Sequence, residues 1–251
     1  MKIITLNANG IRSAAEKGFF EWLKRENPDV VCIQETKAQI EQLQDAKFHP
    51  LPFTYYHSAQ KKGYSGVAIY SKHEPKYVQH GIGWEDMDVE GRFLEVAFEN
   101  FSVISLYLPS GSSGEERQAV KESMMARLLP YLEQRAAENI ILCGDINIAH
   151  TEKDIRNWKG NLKNSGFLPQ ERAWLSALFA KHYCDGFRVK NQEEHVYSWW
   201  SNRGQARAKN VGWRIDYHII SQRLAETVQS AWIYTDERFS DHAPVIMEYQ
   251  L

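Results

Sequence analysis

The sequence predicts an α/β domain in which stacked β-sheets are covered by helices. Short apolar, β-branched segments recur along the chain, and amphipathic helical patterns lie between some of them. Many strands combined with a few amphipathic helices are typical of layered α/β architectures. Neither a Ser/Gly-rich linker nor an internal repeat interrupts the sequence. We therefore expect a single domain that spans residues 1–251.

Nine apolar segments have the lengths that strands usually have. They are KIITLN, DVVCIQE, SGVAIYS, FLEVAFE, SVISLYL, NIILCGD, VYSWW, RIDYHII and PVIMEY. A chain of this size buries roughly three quarters of its unfolded surface, so its core needs no disulfide or structural metal. The segments predict strands but not their order in a sheet.

The first helix is predicted directly after the first strand. Ser13 and Glu16 have the spacing of a capping box, which predicts that a helix begins there. The apolar pattern continues to Leu23, and Asn27-Pro28 predicts the end of this helix. We expect the helix to cover one face of a sheet.

Two further helices are predicted in the second half of the chain. Ser113 and Glu116 predict a second capping box. The segment after it has apolar residues at helical spacing, namely Val120, Met124, Leu128, Tyr131 and Leu132. The third helical pattern, QERAWLSALFAKHY, follows Leu168-Pro169. Such stripes predict helices that pack on a sheet.

The composition excludes several classes of protein. Hydrophobic residues make up 43% of the chain and charged residues 25%, which excludes a disordered chain. The formal net charge is −2, so nucleic-acid binding would need a local basic surface. Cys32 and Cys143 lie in apolar segments, which indicates buried thiols rather than a disulfide framework or a zinc site. Because no segment has the pattern of a signal peptide or a membrane span, we expect a cytoplasmic protein.

Polar groups lie at the ends of predicted strands at six places along the chain. These groups are Asn7-Ala8-Asn9, Gln34-Glu35, Tyr107, Asp145-Ile146-Asn147, Asp216-Tyr217 and Ser240-Asp241-His242. A rigid scaffold can direct such strand-end side chains into one cleft. Each group taken alone could equally be a turn, as the Gly residues next to Asn9 and Asp145 illustrate. The residues alone leave both interpretations open.

If these groups converge, their charges restrict the chemistry. Glu35, Asp145, Asp216 and Asp241 would share one cleft, and two like charges about 4 Å apart repel by about 4 kcal/mol at an effective dielectric of 20. A hard divalent cation relieves that repulsion, and oxygen ligands favour Mg²⁺, or Mn²⁺, over zinc. Asp216 could hold His242 in its cationic form, and Asp145 could orient or deprotonate an attacking water.

The same segments resemble the exonuclease III-type apurinic/apyrimidinic endonucleases of the endonuclease/exonuclease/phosphatase superfamily. The motifs that carry the resemblance, in chain order, are NANGIRS, QETK, GYSGVAIYS, SLYLPSG, GDINIAH, NWKGNLKNSGFLPQER, NVGWRIDY and FSDHAP. They span essentially the whole chain. The resemblance implies a four-layer αββα sandwich, with two packed mixed β-sheets between helices.

The resemblance also implies a metal site. Glu35 is the implied main ligand, and Asn7, Asn9 and Asp241 are implied as further or alternative ligands. Some family members have aspartate where this chain has Asn9, which removes one negative charge from the site. We expect weaker metal binding rather than loss of activity. The implied cofactor is Mg²⁺, with Mn²⁺ as a substitute.

Five residues receive catalytic roles from the resemblance. Asp145 and Asn147 would position the nucleophilic water, and Tyr107 would contact the scissile phosphate or assist the leaving group. His242, paired with Asp216, would stabilise the negative charge that builds on the phosphate. Stabilisation by a preorganised donor is usually among the largest catalytic effects.

DNA contacts are predicted on two basic segments. One has four basic residues and no acidic one, namely Arg203, Arg207, Lys209 and Arg214, and the other contributes Lys159 and Lys163. Basic side chains beside the site would bind phosphates despite the neutral whole chain. By resemblance, the contacting residues are Arg12, Lys37 and Tyr64 on strand phosphates, and Asn161 and Asn164 near the lesion.

A pocket for an extruded abasic sugar is implied by three apolar residues, Trp199, Trp213 and Ile215. A sugar without its base has lost stacking and pairing, so it leaves the duplex at lower cost than an intact nucleotide. Arg203 lies in the segment where relatives insert side chains into the duplex. It would fill the space that the sugar leaves.

The implied function is incision 5′ of abasic sites in duplex DNA, together with 3′→5′ exonuclease and 3′-end-cleaning activity. The expected partner is double-stranded DNA with abasic sites or blocked 3′ ends, bound by a monomer. The alternative is a catalytically silent, RNA-linked regulator of the catabolite repression control type, which lacks catalytic groups that this chain has. A lipid or inositol phosphatase would share the GD-N and SDH signatures but not the KGNLKN segment and the basic loop.

Overall fold

Two six-stranded β-sheets pack face to face in the computed structural model, which describes residues 1–251. The strands are β1 (Lys2–Asn7), β2 (Val30–Gln34), β3 (Phe53–His57), β4 (Val67–Ser71), β5 (Tyr77–His80), β6 (Phe93–Ala97), β7 (Ser102–Tyr107), β8 (Ile140–Asp145), β9 (Tyr183–Asp185), β10 (Trp199–Trp200), β11 (Gly212–Trp213), β12 (Asp216–Ser221), β13 (Val228–Ile233) and β14 (Val245–Tyr249). The first sheet has the order β13-β14-β1-β2-β4-β3, and the second has the order β5-β6-β7-β8-β12-β9. Strands β10 and β11 form a separate two-stranded ribbon.

Seven α-helices accompany the two sheets. They are α1 (Ile11–Glu16), α2 (Phe19–Glu26), α3 (Glu85–Asp88), α4 (Glu115–Gln134), α5 (Trp158–Asn161), α6 (Pro169–Phe179) and α7 (Gly186–Lys190). Apolar residues of α1 and α2 pack on the first sheet, and those of α4 and α6 pack on the second. A third apolar cluster lies between the sheets. The four-layer αββα architecture predicted from the resemblance is therefore confirmed.

The central strands have apolar residues on both faces because both faces are covered. On β1, Ile3 belongs to the cluster between the sheets, whereas Ile4 and Leu6 pack against the helices outside. Such double burial explains why these segments read as continuous apolar runs rather than alternating ones. Cys32 and Cys143 are free and buried, as predicted. No helix combines the length and hydropathy that crossing a bilayer requires.

Both predicted capping boxes are wrong. Ser13 lies inside α1, and no side chain caps that helix. Its start is fixed instead by the tertiary structure, since the Ile11 amide donates to the Thr36 carbonyl. A left-handed glycine, Gly18 (φ 86°), separates α1 from α2, so the predicted single helix is two. The predicted end of the helical segment is confirmed, because α2 ends at Asn27, which adopts φ 51°.

The second capping box fails for a similar reason. Helix α4 begins at Glu115, and the residue before it is Gly114, with φ 133° and no side-chain cap. Ser113 therefore lies outside the helix. The apolar stripe on α4 is confirmed, because Met124, Leu128 and Leu132 are buried against the second sheet.

Each sheet has one parallel pair at its centre, β1 with β2 and β7 with β8. The carboxyl ends of parallel strands meet at one edge, so the last residues of each pair become neighbours. Asn7 lies opposite Gln34, and Tyr107 lies opposite Asp145. Strand β12 runs antiparallel to β8 and begins with Asp216 opposite Asp145. This arrangement gathers the strand-end side chains at one end of the sandwich.

Candidate active site

The amide of Asn7 joins the two sheets at this end of the sandwich. Its Nδ2 donates to Glu35 Oε1 at 2.9 Å and to Asp145 Oδ2 at 2.8 Å. Its Oδ1 accepts from the Asn9 backbone amide at 2.9 Å. The side chain is fully buried. Asn7, predicted as a metal ligand, thus holds two carboxylates in place, and its amide oxygen already accepts from the backbone.

A chain of polar contacts extends from Glu35 to Asp241. Glu35 adopts a left-handed φ of 50°, and its Oε2 lies 3.0 Å from the Lys37 ammonium. The same ammonium donates to Asn9 Oδ1, and Asn9 Nδ2 donates to Asp241 Oδ1 at 3.0 Å. Asp241 Oδ2 accepts from the Trp199 indole at 3.1 Å. The structure therefore brings Glu35, Asn9 and Asp241 together as the sequence predicts.

His242 lies between two carboxylates. Its Nδ1 is 2.8 Å from Asp216 Oδ2, and its Nε2 is 3.8 Å from Asp145 Oδ2. Burial lowers the pKa of His242, but Asp216 above all, then Asp145 and Asp241, outweigh it and raise the pKa to about 10. The imidazole is therefore cationic at neutral pH, as the sequence predicts from the Asp216 pairing.

Metal ligation by this triad is disfavoured. Asp145, Asp216 and His242 each offer an atom within 4.8 Å of the others, so by distance alone they could hold an ion. A protonated imidazole has no free lone pair, and Nδ1 is engaged by Asp216. The oxygens of Glu35 and Asp241 are better candidates.

Burial also changes the acidity of the neighbouring groups. Desolvation raises the pKa of Asp145 to about 8, and the charge of Asp216 adds to this effect while His242 opposes it. Desolvation likewise raises the pKa of Tyr107 well above its usual value, with further contributions from Glu35 and Asp145. The Tyr107 hydroxyl therefore stays protonated and can donate a hydrogen bond.

Asn147 is held by several contacts at once. It adopts a left-handed φ of 55°. Its backbone amide donates to Asp145 Oδ1 at 2.9 Å, and its Nδ2 donates to the Leu108 carbonyl at 2.8 Å. Its own carbonyl accepts from Lys121 Nζ at 2.8 Å. Its Oδ1 has no internal partner and is therefore an acceptor available to a ligand.

One cavity of about 670 Å³ connects these groups. Its polar lining includes Glu35, Tyr107, Asp145, Asn147, Asp241 and His242, and its apolar wall is Trp199, Trp213 and Ile215. The two indoles meet edge to face, with centroids 6.2 Å apart. The structure thus places the predicted sugar pocket directly beside the predicted catalytic groups.

The cavity continues past a loop that the sequence analysis did not identify. The further lining residues of the cavity are Ser110, Gly111, Ser112, Gly114, Glu115, Gln118, Leu168 and the segment from Lys163 to Gly166. Small residues in SGSSGE let this loop approach the site closely. Lys121 interrupts the apolar stripe of α4, and this is the sequence signal for a charge buried behind the loop.

Some of the predicted DNA-contact residues lie near the cavity and others do not. Asn164 lines it and donates to Asn161 Oδ1 at 2.8 Å, which ties the two predicted contacts together. The Tyr64 hydroxyl accepts from Arg92 and Arg117. Arg12 and Arg203 are exposed outside the cavity lining.

The predicted basic surface needs a correction at Arg214 and Arg207. Arg214 is 1% exposed and pairs with Asp154 and Asp185, so it cannot contact phosphate. The terminal nitrogens of Arg207 are shielded from solvent, and its guanidinium lies 4.7 Å from the Trp200 ring centroid. The sequence alone does not show which of these basic side chains are buried. Arg203 and Lys209 remain exposed.

The chain is similar to known proteins in both sequence and structure. The sequence profile of the Endonuclease/Exonuclease/phosphatase family matches residues 4–242. The chain is 44% identical over 250 residues to an exodeoxyribonuclease of Bacillus subtilis (strain 168), with 98% of each chain covered. The structure is similar to an AP endonuclease from Archaeoglobus fulgidus, with a TM-score of 0.90, 27% identity and 100% of both chains covered. It is also similar to a 3′ phosphatase, NExo, from Neisseria bound to product DNA hairpin, with a TM-score of 0.87, 25% identity and 100% of both chains covered.

Proposed function

Because the chain belongs to the Endonuclease/Exonuclease/phosphatase family, we propose that it is a DNA repair phosphodiesterase. It incises DNA 5′ of abasic sites, degrades strands from the 3′ end and cleans blocked 3′ ends. The observation that carries this proposal is the shared cavity. The Asn7-bridged pair Glu35 and Asp145 lines it together with the cationic His242 and an apolar pocket. Such a cavity suits a phosphate beside a base-free sugar.

The residues present fit a hard divalent cation. Lys37 already places a positive charge between Glu35 Oε2 and Asn9 Oδ1, which supports an oxygen-lined cation position there. Glu35 and Asp241 would supply the one or two carboxylates that Mg²⁺ usually takes, and Asn9 an amide oxygen. We propose Mg²⁺, with Mn²⁺ as a substitute. The bound ion would polarise the phosphate as a Lewis acid.

Asp145 and Asn147 are proposed to hold the attacking water. The raised pKa of Asp145 makes its ionised form a stronger base than an ordinary aspartate, and this form would accept a proton from that water. The Oδ1 of Asn147 has no internal partner, and this acceptor would fix the second hydrogen of the water. The two residues would aim an oxygen lone pair at phosphorus.

His242 and Tyr107 are proposed to stabilise the phosphate. With Nδ1 held by Asp216, Nε2–H of the imidazolium is free to donate to a phosphate oxygen. The protonated Tyr107 hydroxyl would donate to the phosphate or the leaving oxygen. Arg92 supports the tyrosine, since its guanidinium lies 4.6 Å from the ring centroid.

The apolar wall is proposed to select the substrate. Trp199, Trp213 and Ile215 would enclose the extruded sugar, and the edge-to-face indoles leave space for a ring without a base. The proposed DNA contacts around it stay those predicted from the sequence: Arg12, Lys37, Tyr64, Asn161, Asn164 and Arg203. The single domain, the monomeric state and the cytoplasmic location also stay predictions.

Cleavage of a defined duplex tests the proposal. Purified protein with Mg²⁺ should nick a duplex on the 5′ side of one abasic-site analogue, and EDTA should stop it. Relative rates on an abasic duplex, a recessed 3′ end and a 3′-phosphate would rank the three activities. Failure to cleave at micromolar enzyme, together with tight binding to A-rich RNA, would support the regulator instead.

A pair of histidine variants separates the site from the rest of the surface. His242→Gln should lower turnover by about 10² to 10³, the range typical for removing one preorganised donor. His73→Gln is the matched control, because His73 is exposed and lies outside the cavity. Equal activity of the two variants would contradict the proposed role of His242.

A further inference from the structure

An ion pair that contacts neither the cavity nor solvent lies behind Asn147. Lys121 on α4 and Glu171 in the first turn of α6 approach to 2.5 Å, and both side chains are 0% exposed. Burying two charges costs desolvation energy, and apolar residues of similar volume often stabilise such a position equally well. Stability alone therefore does not account for charge at this place.

The remaining hydrogen bonds of the pair lead to the active site. Lys121 Nζ donates to the Asn147 carbonyl at 2.8 Å. Glu171 Oε2 accepts from the backbone amides of Gly166 at 2.7 Å and Leu168 at 3.0 Å. The pair thus connects the loop after β8 with the segment that precedes α6, and both of these line the cavity.

The two connected segments also pack tightly on each other. Ala149 donates its amide to the Gly166 carbonyl at 2.8 Å. Gly166 adopts φ +93°, and a Cβ added there would lie 3.1 Å from the Asn147 carbonyl oxygen and 3.0 Å from the Trp213 ring. Any shift of one segment is therefore transmitted to the other and to the wall of the pocket.

Asn147 depends on this support because its backbone conformation is unfavourable. Residues other than glycine seldom adopt a positive φ, although asparagine does so more readily than most. Without the Lys121 ammonium, its partly buried carbonyl would lose the partner that Lys121 supplies. The residue would keep its hydrogen bonds to Asp145 and Leu108 but could relax towards a less strained φ, which would displace Oδ1 within the cavity.

We propose that Lys121 and Glu171 are positioning residues that fix Asn147 Oδ1 for the attacking water, an inference that rests on the function proposed above. They touch neither substrate nor metal and act through the Asn147 backbone. A displacement of about 1 Å at a reacting group lowers rates by roughly 10²-fold. Loss of the pair should therefore slow the chemical step while leaving DNA binding intact.

The test replaces the pair by apolar residues of similar size. Lys121→Met/Glu171→Leu avoids an unpaired buried charge, and single-turnover cleavage of an abasic duplex is measured beside the dissociation constant of the same duplex. The expected result is a rate lower by about 10- to 100-fold with binding changed less than about threefold. The matched control is Arg135→Met/Glu95→Leu, which removes a second largely buried pair, 2.6 Å apart and outside the cavity lining. Its rate should stay at the wild-type value.

A double-mutant cycle shows whether the pair acts through Asn147. Adding Lys121→Met, or the double change, to Asn147→Ala should lower the rate no further, because the group being positioned is already absent. Additive losses, or an unaffected rate in the Lys121→Met/Glu171→Leu protein, would overturn the inference. All rates are taken at a temperature where circular dichroism shows a folded variant. If the double variant unfolds, Lys121→Met/Glu171→Gln replaces it, because the uncharged amide leaves no unpaired buried charge and its oxygen can still accept from the Gly166 and Leu168 amides. Wild-type protein that fails to cleave would overturn the proposed function itself, whereas wild-type cleavage with unaffected variants would overturn only the positioning role.

Discussion

Asp145→Asn should stabilise the metal-free protein while it removes turnover. The folded state holds the Asp145 carboxyl in a buried place beside Asp216, where its pKa is about 8. An unfolded aspartate has a pKa of about 3.9. Between these values the folded chain binds more protons than the unfolded chain, so the free energy of unfolding falls as pH rises, by about 1.4 kcal/mol per pH unit. The asparagine variant lacks this loss.

The magnitude follows from that slope. At about pH 7 the ionisable carboxyl costs the folded state about 4 kcal/mol relative to a group that does not titrate. Asparagine can still accept from the Asn147 amide, but its own NH₂ would face Asn7 Nδ2, and losing that hydrogen bond costs about 1 kcal/mol. The variant should therefore be more stable by about 3 kcal/mol at about pH 7 and slightly less stable than wild type at about pH 4.

Urea denaturation in EDTA at several pH values measures this crossing. Single-turnover cleavage with Mg²⁺ on the same preparations should show a rate loss of several orders of magnitude for the variant. Asp236→Asn, at an exposed position, controls for removing a carboxylate as such. A difference between Asp145→Asn and wild type that does not change with pH would refute the raised pKa of Asp145. Near-normal turnover would remove Asp145 from the mechanism.

Three further outcomes are expected. Burial raises the pKa of Asp154, but Arg214 and a second arginine outweigh it and hold the pKa below its usual range. Asp154→Asn should therefore lower the free energy of unfolding, measured by urea denaturation at about pH 7, by about 3–5 kcal/mol. The difference from wild type should shrink below about pH 4. Burial lowers the pKa of His218 to about 3. Between about pH 6.5 and pH 5 the free energy of unfolding of the wild type should therefore fall by about 2 kcal/mol more than that of His218→Leu. Equal decreases in the two proteins would refute this. Gly144→Ala should prevent normal assembly of the second sheet, because the added Cβ would lie 1.9 Å from the Leu106 carbonyl oxygen. A soluble variant with the melting temperature of the wild type would contradict so close an approach of these strands.

The central strands were readable from sequence because both of their faces are buried. The nine predicted segments include none of the four edge strands, β3, β5, β9 and β13. Edge strands are partly exposed, so polar residues interrupt their apolar pattern. In β13, for example, only Val228 is buried. Local periodicity therefore identifies the middle of each sheet better than its borders.

The site was partly predictable for a related reason. Strand-end polar residues mark where a sheet edge lies, and the central parallel pairs bring those edges together. What the sequence could not show is which partner each group takes. Asn7 has the residue type of a metal ligand, yet it donates to two carboxylates, and Arg214 has the charge of a DNA contact, yet it is buried. These outcomes depend on tertiary neighbours that are distant in sequence.

The spread of the site residues along the chain determines when a newly made chain can become a nuclease. Asn7 and Glu35 emerge from the ribosome with the first two strands, whereas Asp241 and His242 follow thirteen of the fourteen strands in chain order. Contacts between such distant segments form only after the intervening chain has closed into loops. A nascent chain therefore carries Asn7 and Glu35 long before Asp241 and His242 exist. The complete site can form only after nearly the whole chain has been made and both sheets have folded.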